Sequence, residues 1–328
     1  MSILVCGGAG YIGSHMVLEL IKKNYNVVVL DNLSNGHMEA VNKNAKFYLG
    51  DIRDENLLTK IIANEKVEAV IHFAAYSLVG ESMTNPAKYY DNNVLATFSL
   101  LDTMRKNNVH KIIFSSTAAV YGEPDSIPIR EDNAINPINP YGETKRTIEK
   151  MLYWFDKAYG LKYTVLRYFN VAGADESATI GEMHNPETHL IPVILKSILE
   201  NKTIKVFGND YPTEDGTCIR DYIHVTDLAN AHILALENLK KTMTSQIYNL
   251  GNNTGFSVME ILNTAQKVTG KKINYEIAPR RIGDPAILIA SSEKAKKELG
   301  WQPKFYQPEQ IISSAWNWHK KLFDSQQS

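Results

Sequence analysis

Cysteine is scarce in this chain, with Cys6 and Cys218 the only two among 328 residues. That excludes a disulfide framework, and a reducing cytoplasm is the expected compartment. Charge of one sign is equally lacking: 35 basic residues face 36 acidic ones, and no Lys/Arg block stands out. Such a balance offers no footprint for a phosphate backbone, so no nucleic-acid partner is expected. Apolar runs stay short of the ~18 residues that a membrane-spanning helix requires, so no membrane partner is expected either. The start, Met1-Ser2-Ile3-Leu4-Val5, enters a glycine turn without the basic start or cleavage site of an export signal. Metal-ligand spacing is also missing. His184 and His189 lie five apart in a Pro-containing loop and His72 falls in a strand, so no metal is expected.

What is present is an apolar content of 44%, enough for one large or two unequal domains. The first half alternates short β-branched runs with longer amphipathic stretches, the pattern of βα units on a parallel sheet. Residues 3–6, 27–30, 46–49, 69–73, 111–114 and 163–166 read as buried strands. Helices are expected from about Pro86 to Asn107 and from Tyr141 to Tyr159. Both carry paired apolar residues, such as Leu100-Leu101 and Trp154-Phe155, and so bury two faces. One face covers the sheet; the other meets either a second copy of the chain, giving a homodimer, or an internal neighbour. After Asn170 the rhythm loosens into shorter elements. Strands are expected near 203–207 and 246–250, and helices near 225–239, 257–268 and 309–322. The expected domains are 1–170 for a nucleotide and 171–328 for a substrate, with segments of the second able to cross back.

The glycine string Gly7-Gly8-Ala9-Gly10-Tyr11-Ile12-Gly13 follows the first strand and opens a helix, the context of a dinucleotide fingerprint. Gly7 allows the turn, Gly10 lets backbone N–H groups approach a pyrophosphate, and Gly13 lets the helix pack closely. Asp31, ending the next strand, can accept hydrogen bonds from a ribose 2′-hydroxyl and would repel a 2′-phosphate, which favours NAD over NADP. Asp51 and Ile52 end the third strand, where an adenine edge can be read, and Phe73, Ala74 and Ala75 end the fourth beside the cofactor. The expected fold is thus α/β, a Rossmann-type doubly wound parallel sheet with a smaller mixed α/β substrate-side domain.

Tyr141 and Lys145 share one helical face, since side chains four apart lie one above the other. Making a phenol a base near neutrality needs roughly 3–4 kcal/mol of differential stabilisation. Lys145 together with a second positive charge can supply it. The fifth strand ends in Ser115-Ser116-Thr117, placing hydroxyls at the carboxyl edge of the sheet, where ligands of such folds bind.

Taken together, the glycine loop, the strand-end hydroxyls and the Tyr-x-x-x-Lys helix resemble the extended short-chain dehydrogenase/reductase family, in which they come in this order. The resemblance covers nearly the whole chain. Sugar-nucleotide dehydratases of that family carry an Asp-Glu pair after the strand-end Thr, whereas Ala118 and Ala119 stand here, so elimination of water loses its proton carriers. Five segments, 31–35, 79–82, 89–94, 167–174 and 207–217, with its continuation to Val225, are similar to the UDP-galactose 4-epimerases.

That resemblance implies NAD-dependent inversion at C4 of a UDP-hexose, with Tyr141 as base, Lys145 tuning it and Thr117 hydrogen bonding the reacting oxygen. It implies that Tyr11, Ile12, Asn32, Asn35, Asn92, Ser115, Tyr141, Lys145 and Tyr168 join the cofactor site. It places Thr117, Tyr141, Asn170, His189, Leu190 and Tyr222 around the sugar and uridine, Phe207 on the uracil, and Arg220, Arg281 and Asp284 on the diphosphate and its ribose. For Arg220 a salt bridge to Asp221 is the competing role. Ser77 stands where many epimerases place Lys, and Leu288 where residue size decides acceptance of an N-acetyl group. An epimerase of acetylated or carboxylated UDP-sugars and a non-catalytic NAD-binding protein are the alternative readings.

Overall fold

The computed structural model describes residues 1–281 and 284–327. Its strands are β1 Ser2–Cys6, β2 Asn26–Asp31, β3 Lys46–Leu49, β4 Val67–His72, β5 Lys111–Thr117, β6 Lys162–Tyr168, β7 Asn170–Ala172, β8 Ile204–Phe207, β9 Ile219–His224, β10 Gln246–Leu250, β11 Gly255–Ser257, β12 Tyr275–Ala278 and β13 Ile287–Leu288. Its α-helices are α1 Tyr11–Lys22, α2 Glu55–Glu65, α3 Val79–Thr84, α4 Pro86–Tyr89, α5 Ala96–Lys106, α6 Pro140–Tyr159, α7 Leu190–Glu200, α8 Val225–Thr242, α9 Val258–Thr269, α10 Glu293–Leu299 and α11 Pro308–Gln327.

Seven strands form one sheet in the order β10-β6-β5-β4-β1-β2-β3, every neighbouring pair parallel. The central strands are covered on both faces, which is why they read as unbroken apolar runs, whereas β3, expected to be buried, is half-exposed at the sheet edge, with Leu49 64% exposed. Along β1 the side chains alternate: Ile3 and Val5 enter a core with α1 and α8, while Leu4 and Cys6 enter one with α2, α5 and α6. This is the Rossmann-type arrangement expected from the sequence, in which ligands bind beyond the carboxyl ends of the strands where the order reverses, between β1 and β4.

The chain after Asn170 builds a second core around α7, α9 and α11, with Ile194, Leu195, Leu262 and Ile312 buried. Strands β7, β11 and β13 all pair with β9, and β8 pairs with β12. Two of its elements return to the first core: β10 extends the main sheet beside β6, and α8 packs on α1's face. A bridge between Ile129 and Ala290 adds a further tie across the cleft.

Local chemistry explains where the key helix starts. Asn139 caps α6 by accepting the Gly142 N–H at 2.8 Å, Pro140 occupies its first turn, and Gly160 closes it in the left-handed region. Such a cap contributes on the order of 1 kcal/mol. The helix expected over 86–107 also forms, but with a π-helical turn over Tyr90–Leu95 between α4 and α5.

Candidate active site

At the nucleotide end, Gly7 and Gly13 are held by space. A Cβ on Gly7 would lie 2.6 Å from the Ala74 nitrogen, and one on Gly13 would lie 2.0 Å from the Gly7 oxygen. The turn therefore packs directly on Phe73 and Ala74, whose amides both donate to the Cys6 carbonyl. Gly10 caps α1 with no side chain, and the first turn carries no acidic residue. Its amides are left for an anion, and a cavity lined by Gly10, Tyr11, Ser14, Asn35, His37 and Met183 adjoins them. Asp31 accepts the Ala9 N–H at 2.9 Å and the Leu33 N–H at 2.8 Å, so each carboxylate oxygen retains a lone pair for a ribose hydroxyl. These features fit a dinucleotide.

Tyr11, expected in the cofactor set, begins α1. Its hydroxyl donates to the Gly173 carbonyl at 2.7 Å and its ring sits edge-on to His15 and His184. The side chain is spent joining the two lobes, leaving its backbone amide, like that of Ile12, for the cofactor. Asp51 is gripped by Arg53 at 2.8 Å and by Asn32 at 3.2 Å, and the Arg53 bond draws its carboxyl down to about 2. Ser77 is exposed on the loop after β4.

The chemical centre lies where β5 ends against α6. A Cβ on Gly142 would meet the Ala119 carbonyl at 2.5 Å, so the first turn of α6 sits directly on the turn after Thr117. That contact sets Tyr141, at the start of α6, beside the turn that follows Thr117. Lys145 is buried, donates to the Ser115 carbonyl at 2.8 Å, and has its ammonium 6.0 Å from the centre of the Tyr141 ring. Ser115 and Tyr168 hydrogen bond through their hydroxyls.

The electrostatics differ from the simple expectation. Burial pushes the Tyr141 phenol up to about 12, against the Thr117 bond that favours its ionised form. Burial also pulls Lys145 down to about 7, against the pull of Glu149. Lys145 therefore does not by itself make Tyr141 acidic. The second positive charge identified from the sequence argument is needed, and a bound oxidised nicotinamide carries one.

Behind this pair stands a network that the sequence reading missed. Glu149, one turn past Lys145, accepts from Ser116 at 2.6 Å and binds Arg167 through two bonds of 3.0 and 2.6 Å. Arg167 donates to the Tyr121 hydroxyl, which donates to Asn249. The four-residue spacing Tyr141, Lys145, Glu149 was the available signal. Asn93, in the π turn, was also missed: it bonds both the amide and carbonyl of Tyr76 and reaches the Thr144 hydroxyl at 3.2 Å. Its neighbour Asn92, expected at the cofactor, donates to it at 3.2 Å.

On the substrate side Arg220 pairs with Asp284 and also donates to the Pro285 carbonyl at 2.7 Å, while the competing partner Asp221 is turned inward to the backbone amides of Asn252 and Ala290. The Arg281 guanidinium lies 4.2 Å from the centre of the Phe207 ring, and the Asp284 amide donates to the Arg281 carbonyl. Asn170 opens β7 opposite a buried Tyr222 in β9, and His189 and Leu190 begin α7. Leu288 pairs with Arg220 across β13 and β9 and packs on the Val120 and Tyr121 cluster, linking the two ends of the cleft. His184 and His189, five apart in a Pro-containing loop and not expected to be ligands, converge with Glu182 and Glu187.

A dinucleotide turn after β1, a Tyr and Lys pair where β5 meets α6, and two arginines beside β9 and Phe207 mark a nucleotide-dependent enzyme. The model of the NAD dependent epimerase/dehydratase family matches residues 3–251. A UDP-glucose 4-epimerase of Halalkalibacterium halodurans is 57% identical over 322 residues, spanning 98% of this chain and 96% of that protein. The crystal structure of UDP-glucose 4-epimerase from Brucella ovis in complex with NAD is 47% identical, with a TM-score of 0.94 over 96% of this chain and 97% of that one. That from Bifidobacterium longum in complex with NAD+ and UDP is 40% identical, with a TM-score of 0.91 over 98% of each chain. The chain belongs to the NAD dependent epimerase/dehydratase family. It is an enzyme of the epimerase class, and its cofactor is NAD.

Proposed function

We propose that the chain interconverts UDP-galactose and UDP-glucose, with Tyr141 moving the proton of the sugar's 4-hydroxyl. The seating of the first turn of α6 on the turn after Thr117 carries this reading, because it brings Tyr141, a proton acceptor, to the sheet edge where the Thr117 hydroxyl stands. NAD, when bound, supplies hydride acceptance and return at C4 and ends as it began. Tyr141 takes the hydroxyl proton as the carbonyl forms and gives it back as the hydroxyl is restored. Lys145 holds positive charge near the phenolate, and Thr117 keeps the oxygen aligned. Arg220 and Arg281 anchor the diphosphate, for which forked donors suit paired oxygens. With the diphosphate held, the 4-keto sugar turns about its linkage and presents its other face. Two relatives crystallised with NAD, one of them also with UDP, support this assignment.

The test is Tyr141→Phe. Loss of a positioned proton carrier lowers turnover by roughly 10²–10⁴, while UDP binding survives because the arginines are untouched. Turnover within a few-fold of the parent rejects the assignment.

A homodimer is part of the same proposal. Leu95, Phe98 and Trp154 are exposed on α5, α6 and the turn before α5, and Phe98 meets Phe155 edge-on, an apolar face between two adjacent helices that a second copy would cover. Two buried free thiols suit a reducing cytoplasm. No helix among the described residues is long and apolar enough to cross a membrane.

A further inference from the structure

Between β7 and α7 four side chains converge for which the proposed chemistry gives no joint purpose. Glu182, His184, Glu187 and His189 each present one donor atom, and all four atoms lie within 4.8 Å of one another. Nδ1 of His184 is 3.0 Å from Oε1 of Glu182 and 3.8 Å from Oε1 of Glu187, and His189 turns its Nδ1 to the same Glu182 oxygen. The Glu182 and Glu187 side chains are only 3% and 5% exposed. A second observation is independent of this convergence: Oε2 of Glu187 is buried and has no hydrogen-bond partner. An unmet buried acceptor of this kind costs about 1–3 kcal/mol, more when charged. A donor or a cation is missing at that oxygen, while Oε1 accepts the Thr188 and His189 amides at 2.9 and 3.1 Å.

Two buried carboxylates this close need two positive charges. A divalent cation provides two such charges at one point, within reach of a nitrogen from each imidazole and a carboxylate oxygen from each glutamate. The surrounding loop is already held: Trp318 donates to the Glu182 carbonyl at 3.0 Å and His37 bonds the Met183 carbonyl at 2.8 Å. Ligands fixed by outer contacts lose little freedom on binding.

We infer that Glu182, His184, Glu187 and His189 form a binding site for a divalent cation of the zinc type. Two nitrogens and two oxygens match the four-coordinate preference of zinc, whereas Mg²⁺ and Ca²⁺ take six or more oxygens. The cation would be structural. It would lock the loop leading into α7 against Tyr11, whose ring sits edge-on to His184 with centroids 6.3 Å apart. Ligation through Nδ1 leaves Nε2 of His189 free for the role proposed in substrate binding, and the inference stands whether or not that role does.

The experiment uses the full chain with NAD bound, incubated with Zn²⁺, desalted and assayed by metal mass spectrometry. About one zinc per chain is expected, with affinity lowered roughly tenfold or more in His184→Gln and Glu187→Gln, and with no Mg²⁺ retained under the same treatment. Co²⁺ in place of zinc should give the visible absorption of a four-coordinate site, lost in Glu187→Gln. Absence of retained zinc, zinc held equally by the parent and both variants, or equal retention of Mg²⁺ each overturns the site.

Discussion

Glu149→Gln tests the electrostatic support of Lys145. The two residues are one turn apart on α6, with Cβ atoms ~6 Å apart, and two unit charges at such a separation interact by roughly 3 kcal/mol at an effective dielectric of ~20. Arg167, bound to Glu149 by two hydrogen bonds, cancels part of the field. What remains is on the order of 1–2 kcal/mol, about tenfold in the protonation of Lys145. The carboxylate opposes the burial that pulls Lys145 down to about 7. Without it the ammonium persists only at lower pH. The variant should therefore lose most activity near pH 8 and approach the parent as pH falls toward 6. The assay is kcat for UDP-galactose turnover across pH 6–8.5 at saturating NAD, expressed as the ratio of variant to parent. A ratio independent of pH refutes the reasoning.

Stability gives a second, separable readout. Arg167 and Glu149 have side chains 4% and 8% exposed, and breaking such a pair costs ~3–5 kcal/mol because one charge is left buried and alone. Urea unfolding should show that loss in Glu149→Gln. Much of it should return in the double variant Glu149→Leu with Arg167→Met, where no lone charge remains.

Three further outcomes are expected. Gly142→Ala should push the start of α6 off the Ala119 carbonyl and lower kcat while the amount of bound NAD, read by absorbance after desalting, stays near that of the parent. His15, His72, His224 and His232 are all held well below the ordinary imidazole value by burial. In each case the unfolded chain takes up a proton that the folded chain refuses, so stability is present above about pH 6.5 and is lost as pH falls. Moving from pH 7 to 5.5 should remove roughly 5 kcal/mol from these four groups together, and an unchanged urea midpoint over that range counts against it. Trp154→Glu should shift the chain toward monomer in light scattering, and a parent that is itself monomeric removes the proposed homodimer.

Much of the first lobe was legible because its signals are local. A strand buried on both faces is a run of apolar residues, as in Ile3-Leu4-Val5-Cys6, and a helix start is written in Asn139-Pro140 and in the capping pair Ser257 and Glu260. The short strands β7, β11 and β13 were not legible, because segments of two or three residues have no period to read and exist only through pairing with β9. The π turn at Asn92 and Asn93 was hidden for a similar reason. Its asparagine is held by Tyr76 and Thr144, residues remote in the chain.

Residue types and spacings along the chain were sufficient to determine the alternating βα order, the glycine turn before α1, the acid at the end of β2, and a phenol and an amine on one helical face. These depend on neighbours within a few positions. Only the tertiary structure decided that Arg220 turns to Asp284 rather than to Asp221, that Glu149 and Arg167 stand behind Lys145, and that burial drives Tyr141 and Lys145 toward neutrality. It also decided that His184 and His189 meet two glutamates. Charge pairing and desolvation are set by what the fold brings within a few ångströms, and that distance is not written in the separation of residues along the chain.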